Sequence, residues 1–290
     1  MLVLMLGANG QLGKCFADNF RLSDYRVIYK THDDLDITDF SLVERTIRDL
    51  NPDVIINACA YTQVDKAEQE KDLAALVNHY AVKNIAKVCG STGCTFIHFS
   101  TDYVFDGELD RPYVEQDSPN PQGVYGESKL AGELSIIASG CKYIIIRTSW
   151  LFSEYGSNFL LTMLSLGSQR EKLAIVNDQV GCPTYGQDLA KAVVGLLHRL
   201  DSNHKLSGLY HYGGFSVCSW YEFALLIFKE AVRQGIKTPK SVNSIGTSDY
   251  YTAAKRPKYS VLNSDKILNV FDGHKTELKS NIRKVLNKLG

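Results

Sequence analysis

Neither sign of charge prevails in this chain of 290 residues, where 32 lysines and arginines face 32 aspartates and glutamates. No global field draws it to nucleic acid or to an acidic membrane surface, so any anionic ligand must be held locally. Long apolar runs are missing too. The stretch Met1 to Leu6 is apolar but stops at Gly7 with no basic lead-in, too short for a signal-peptide core, and the longest later aliphatic run, Ile144 to Ile146, falls far short of a membrane span. A soluble protein is expected, with no nucleic-acid or membrane partner. The seven cysteines are odd in number, scattered and never spaced C-x-x-C, which argues against a disulfide framework and against a zinc site. They read as reduced packing residues of a cytoplasmic protein. The seven histidines are equally dispersed, and one in an apolar stretch, His98, reads as core. Internal repeats and low-complexity segments are absent. Against these absences stand 44% hydrophobic residues, ample for a core, and a length that suits one large or two modest domains.

The first element is a short apolar run, Leu2 to Leu6, of the kind found in a strand buried on both faces of a parallel sheet. Gly7-Ala8-Asn9-Gly10-Gln11-Leu12-Gly13 follows, and then a helical pattern to about Phe20. Strand, glycine loop and helix form the context of a dinucleotide site: glycines allow a tight turn and close approach to a pyrophosphate, which the helix N-terminus holds. The G-x-x-G-x-x-G spacing is one residue off the commoner fingerprint, and a plain tight turn is the alternative reading. A second strand, Arg26 to Tyr29, ends at Lys30-Thr31-His32, where an NAD site would carry an acid for the ribose hydroxyl. A basic, hydroxylated tip suits a 2′-phosphate, so NADPH is expected to serve at least as well as NADH. Asp36 and Ile37 lead to a helix ending at Leu50, with Thr38 or Asp39 as N-cap. A third strand, Val54 to Ile56, runs into Asn57-Ala58-Cys59-Ala60-Tyr61-Thr62, whose small residues would let a cofactor lie across the sheet edge.

A long helical pattern, about Asp72 to Cys89, precedes a fourth strand, Thr95 to Phe99, with Thr101 just beyond its carboxyl end, where reacting groups belong in open parallel sheets. Tyr125 and Lys129 lie four apart on the next helix and so share a face. A nearby cation stabilises a phenolate, and the pair therefore reads as a device for making tyrosine an acid, although a bare helix surface gives the same spacing by chance. With the strand Tyr143 to Arg147 these alternations predict a doubly wound, Rossmann-type α/β domain over residues 1–149. Beyond Trp150 come helices from Phe159, over Pro183 to Leu200 and from Ser219, the last with a capping-box pattern, and a strand at Leu173 to Val176. Gly208 to Tyr212 reads as one more strand of the first sheet. A smaller C-terminal substrate domain, 150–290, is thus expected to be discontinuous, with parts of 173–212 rejoining the first.

With glycine loop, Thr101, Tyr125 and Lys129 in this order, the chain resembles the extended short-chain dehydrogenase/reductases. Within them Ser100-Thr-Asp-Tyr-Val-Phe-Asp-Gly107, Asn57 to Glu68, Arg147-Thr-Ser-Trp150, Asn177-Asp-Gln-Val-Gly181, Cys218 to Phe223 and Arg256-Pro-Lys-Tyr-Ser260 are similar to the dTDP-4-dehydrorhamnose reductase family. The resemblance implies a catalytic set of Thr101, Tyr125 and Lys129, with Asp102 and Trp150 also at a dTDP-sugar substrate. It implies a cofactor lined by Gly10, Gln11, Leu12, Asp36, Ile37, Ala60, Tyr61 and Thr62, to which the residue reading adds Gly7, Gly13, Lys30 and Ala58. Relatives of this family that serve as regulatory subunits of methionine adenosyltransferase need no acid, and reductases of other dTDP-deoxyhexuloses would share every motif. Some members bridge two subunits with magnesium through glutamates, one of them shortly after the glycine loop. Here that place holds Lys14-Cys15-Phe16, with Asp188 the one carboxylate matched, a poor set for a hard cation. A monomer or a homodimer without a metal bridge is expected.

Overall fold

A computed structural model describes residues 1–202, 206–271 and 275–290. The first half alternates strand and helix: β1 (Leu2–Leu6), α1 (Gln11–Phe20), β2 (Arg26–Lys30), α2 (Phe40–Leu50), β3 (Val54–Asn57), α3 (Val64–Ala67), α4 (Lys71–Ala75), α5 (Ala81–Thr92), β4 (Thr95–Thr101), α6 (Val124–Ala138) and β5 (Lys142–Thr148). Beyond Trp150 come β6 (Leu151–Phe152), α7 (Phe159–Gln169), β7 (Lys172–Val176), β8 (Val180–Gly181), β9 (Thr184–Tyr185), α8 (Gly186–Ser202) and β10 (Gly208–Tyr212). They are followed by β11 (Cys218–Ser219), α9 (Trp220–Arg233), β12 (Ser241–Ile245), α10 (Asp265–Leu268) and α11 (Leu278–Leu289).

Six strands form one parallel sheet in the order β10-β5-β4-β3-β1-β2. Its strands are mainly apolar in their middles because helices cover both faces. Val3, Met5, Ile56, Ile97 and Ile146 pack with α1 and α8 on one side, while Leu4, Leu6, Ile55, Phe96 and Ile145 pack with α2, α5 and α6 on the other. The chain leaves β1 for β2 at one side and returns to β3 at the other, so the crevice at the carboxyl ends of β1 and β3 is the switch point where ligands bind in such sheets.

A second core gathers α7, β7, α9 and α11 around Phe152, Phe223 and Ile227. The strand at Leu173 to Val176 belongs here: β7 pairs with β12 in a separate two-stranded sheet and does not rejoin the large one, whereas β10 does. The helix expected from Pro183 starts at Gly186, because Thr184 and Tyr185 first pair with Leu151 and Phe152. Asp39 caps α2 by accepting from the Leu42 N–H, and Ser219 with Glu222 forms a complete capping box on α9. The long helix before β4 is interrupted by a π turn at Leu76–Tyr80, which periodicity alone did not reveal.

Candidate active site

The glycine loop is tight. Gly7 has φ +78°, and its N–H and that of Ala8 both donate to the Lys30 carbonyl at 3.0 Å. A Cβ on Gly7 would lie 2.9 Å from the Cys59 nitrogen, and one on Gly13 would lie 2.3 Å from the Gly7 oxygen. The loop therefore folds onto itself and onto the end of β3, as a dinucleotide cradle requires. A cavity of about 560 Å³ opens beside it, lined by Gly7, Gly10, His32, Asp36, Ile37, Ala58, Ala60 and Tyr61 among others. A second cleft of about 570 Å³ shares Gly10, Ala58, Cys59 and Ala60 with the first and continues over β4 and β5. Gln11, Leu12, Thr62, Thr101, Asp102, Tyr125, Lys129 and Trp150 all line it. Two expected cofactor residues line neither: Gly13 is taken up inside its own loop, and of the Lys30-Thr31-His32 tip only His32 faces the cavity.

Tight packing positions the reacting groups. Strand β4 runs two residues past its expected end, so Thr101 is its last residue, and its Oγ1 accepts from the Tyr103 N–H at 3.2 Å and donates to Asp102 Oδ1 at 3.1 Å. Helix α6 lies so close to the turn Asp102–Val104 that a Cβ on Gly126 would come within 2.2 Å of the Tyr103 carbonyl. That approach sets Tyr125 edge-on to Tyr103, ring centres 5.6 Å apart. The π turn pushes Asn78 inward, where it clasps the Tyr61 main chain from both sides, at 2.9 and 3.0 Å, and donates to Ser128 Oγ at 3.1 Å. One side chain thus ties the cofactor-side loop to α6, a role typical of π turns at functional sites.

The electrostatics differ from expectation at one point. Burial raises the Tyr125 phenol well above its ordinary value, offset in part by a hydrogen bond with Thr101. The groups that act on it are Thr101, Asp102 and Tyr103, because Lys129 Nζ is turned to the Phe99 carbonyl at 2.6 Å and to His98 Nε2 at 3.3 Å. The phenol is a protonated donor at neutral pH, but its acidity is not raised by the lysine in this arrangement. Burial brings Lys129 down to about 8, although Glu133 and Cys59 act the other way. Burial also pushes Asp102 up to about 6, against hydrogen bonds from Ser260 and Thr101.

Trp150 holds a left-handed backbone, φ +48°, a strained state for a bulky residue. Its indole is stacked on Trp220, centres 3.4 Å apart and 5° from parallel, rather than presenting a free face. Trp220 and Arg256 both line the cleft, and Arg256 also pairs with Asp65 at 2.8 Å. The motifs Cys218 to Phe223 and Arg256 to Ser260 contained them, but nothing in their spacing places them opposite Thr101. At the place considered for magnesium, Cys15 and Phe16 are core, and Asp188 Oδ2 accepts from Thr276 at 2.6 Å and Asn281 at 2.7 Å. Among the described residues no three potential ligands are grouped to hold a metal.

Gln11 Nε2, Ser100 Oγ, Asp102 Oδ2, Thr148 Oγ1 and Arg256 Nε are the buried side-chain polar atoms without a partner among the described residues, and every one belongs to a residue lining the second cleft. Buried polar groups are almost always satisfied, so such a concentration marks a place built for a polar ligand.

A parallel sheet with a glycine cradle at its switch point, leading to a threonine, a protonated tyrosine and a buried lysine, defines a nicotinamide-dependent oxidoreductase of the extended short-chain type. A family model described as "RmlD substrate binding domain" matches residues 1–290. The chain is 38% identical to the dTDP-4-dehydrorhamnose reductase of Escherichia coli K12, over 100% of this chain and 98% of that one. It is 42% identical to that of Aggregatibacter actinomycetemcomitans, over 93% and 92%. The solved dTDP-4-dehydrorhamnose reductase of Clostridium acetobutylicum matches with TM-score 0.91 and 39% identity, covering 100% and 99%. That of Bacillus anthracis, in complex with NADP, matches with TM-score 0.90 and 37% identity, covering 99% of each chain. This chain belongs to the dTDP-4-dehydrorhamnose reductase family.

Proposed function

We propose that this protein reduces the C4 keto group of dTDP-4-dehydro-β-L-rhamnose to give dTDP-β-L-rhamnose. The observation that carries this reading is that, among the described residues, the partnerless buried side-chain polar atoms all belong to residues lining the cleft of Thr101, Tyr125 and Lys129. The glycine cradle and the adjoining cavity fit a dinucleotide, which Gly7, Gly10, Gln11, Asp36, Ile37, Ala60 and Tyr61 would hold; when bound, NADPH supplies the hydride. The chain's own residues orient and protonate. Thr101 hydrogen-bonds the substrate oxygen as it gains charge, and Tyr125, kept protonated by burial, donates to it, a general-acid role worth roughly 10²–10⁴-fold in rate. Asp102 Oδ2, unpartnered, can accept from a sugar hydroxyl, and Arg256 gives the cleft a local cation for an anionic ligand in a chain of no net charge.

The same reading makes residues 1–149, rejoined by α8 and β10, the nucleotide unit and the rest of 150–290 the substrate unit. Among the described residues no helix is long and apolar enough to cross a membrane, and the enzyme is taken to work in the cytoplasm as a monomer or a homodimer without a metal bridge. Oxidation of NADPH on adding the 4-keto sugar nucleotide is the direct test, with product stereochemistry by NMR to separate it from reductases of epimeric sugars. A folded Tyr125→Phe protein should bind cofactor normally and lose turnover; full turnover would overturn the assignment.

A further inference from the structure

Three buried polar side chains beneath the cleft form a continuous chain. Asn57 ends β3, His98 stands inside β4, Lys129 projects from α6, and none is more than 2% exposed. Asn57 Nδ2 lies 3.3 Å from His98 Nδ1, and His98 Nε2 lies 3.3 Å from Lys129 Nζ.

The hydrogen-bond directions are over-determined. Asn57 Oδ1 accepts from the Cys59 N–H at 3.0 Å, and a reversed amide would set its NH₂ against that donor. The NH₂ therefore faces His98, whose Nδ1 must accept. The imidazole is neutral, because complete burial and then the neighbouring Lys129 hold it well below its ordinary value. A neutral imidazole that accepts at Nδ1 carries its proton on Nε2, which is the nitrogen that meets Lys129. An ammonium there would oppose two donors, whereas a neutral amine has a lone pair to accept. Nζ keeps its own donation to the Phe99 carbonyl in either case.

We propose that His98 is a positioning residue which, fixed in its Nε2–H form by Asn57, donates to Lys129 Nζ and stabilises the neutral amine that forms as the lysine loses its proton. The inference rests on Lys129 belonging to the reductase site. The other charged or titratable groups around Lys129 are Tyr125 and Glu133 on α6, the latter held by Arg147 at 2.7 and 2.9 Å, and Cys59 from the loop after β3. Burial acts in the same sense as the proposed bond. The lysine thus loses its charge not far above neutral pH, and the cleft loses that cation. The alkaline limb of kcat/KM, which reports the free enzyme, is then the titration of Lys129.

Imidazole ¹⁵N shifts of the intact protein decide the tautomer. One of the seven histidines should be an Nε2–H imidazole at about pH 9, where Lys129 is neutral. It is assigned by the signal missing from His98→Gln or, should that variant not fold, by elimination through the other six. An Nδ1–H or doubly protonated ring at His98 overturns the proposal. Asn57→Asp supplies a carboxylate that accepts from Nδ1–H, so the proton should move and Nε2 should then accept from an ammonium. The tautomer should reverse, and the alkaline limb should rise by about one pH unit or more. A reversed ring with an unmoved limb severs His98 from Lys129, and a moved limb with an unchanged ring assigns the effect to the added charge; either result rejects the mechanism. Should the 4-keto sugar nucleotide prove not to be the substrate, the ring signals and a lysine NMR titration of Lys129 still read the bond, so the two failures remain distinct.

Discussion

Replacing Gly181 by alanine sets one methyl group against Trp150, which lines the cleft, and tests whether the tryptophan stack positions substrate. A Cβ at 181 would lie 2.5 Å from Trp150 Cε2 and 2.8 Å from both Cζ2 and Nε1. Carbon atoms prefer about 3.5–4.0 Å, so the indole must move by roughly 1 Å. It cannot do so without breaking its stack on Trp220 at 3.4 Å, and Trp220 in turn leans on Phe159 at 4.6 Å. Overpacking of this kind costs about 1–3 kcal/mol. A displacement of about 1 Å near the reacting carbonyl should lower kcat/KM for the sugar nucleotide by roughly 10²-fold. The dissociation constant for NADPH should not change, since Gly7, Asp36 and Tyr61 lie in the other cavity. The chain has two tryptophans and both are in this stack, so selectively excited tryptophan emission and the tryptophan bands of the near-ultraviolet circular dichroism report on it. A folded Gly181→Ala enzyme with parental spectra and parental kcat/KM would refute the reasoning.

Asp102, raised to about 6 by burial, binds its proton more tightly folded than unfolded; its contribution to stability is therefore full below the unfolded value near 3.8 and is lost as pH rises through 6. Asp102→Asn should melt above the parent at pH 8 and lose that advantage by pH 5, and a pH-independent difference would contradict the assignment. Arg147 and Glu133 are a buried bidentate pair at 2.7 and 2.9 Å, so Arg147→Leu, which strands the carboxylate, should lose about 3–5 kcal/mol by urea unfolding. Adding Glu133→Leu should recover most of that loss; no recovery would mean that the cost is one of packing. If the basic tip selects NADPH, Lys30→Ala or His32→Ala should lower the NADPH-to-NADH ratio of kcat/KM roughly tenfold, the worth of one charge-assisted hydrogen bond of about 1.5 kcal/mol. An unchanged ratio in both removes the tip from cofactor choice.

The parallel sheet was legible because burial on both faces leaves a mark that survives in single runs such as Leu2–Leu6 and Ile144–Ile146, closed at their carboxyl ends by Gly7 and Arg147. The position of Thr101 was legible because the ends of such strands are fixed once the strands are, and that of Tyr125 because four-residue spacing places it on the Lys129 face of one helix. What was not legible depends on distance or direction. Trp220 and Arg256 reach the cleft through packing between remote segments, and no local period encodes that. The π turn at Leu76–Tyr80 shifts the helical phase by one residue within a stretch whose apolar pattern reads as continuous, so the inward turn of Asn78 was hidden. For Lys129 the spacing gave the shared face correctly but not the direction of a long flexible side chain, which the Phe99 carbonyl and His98 decide. His98 is as buried as its apolar neighbours suggested, yet its two ring nitrogens meet polar partners that lie far away in sequence.

The five partnerless atoms explain why the site is assembled from so many separate stretches. Gln11 comes from the glycine-loop helix, Ser100 and Asp102 from the end of β4, Thr148 from the end of β5 and Arg256 from the region after β12. Each unsatisfied buried group costs about 1–3 kcal/mol. Distributed over elements that the sheet and the second core hold rigidly, they cannot collapse onto one another and satisfy themselves. The folded protein therefore keeps these donors and acceptors on residues that line one cleft, and the free energy withheld from folding there is available to a ligand whose polar groups match them.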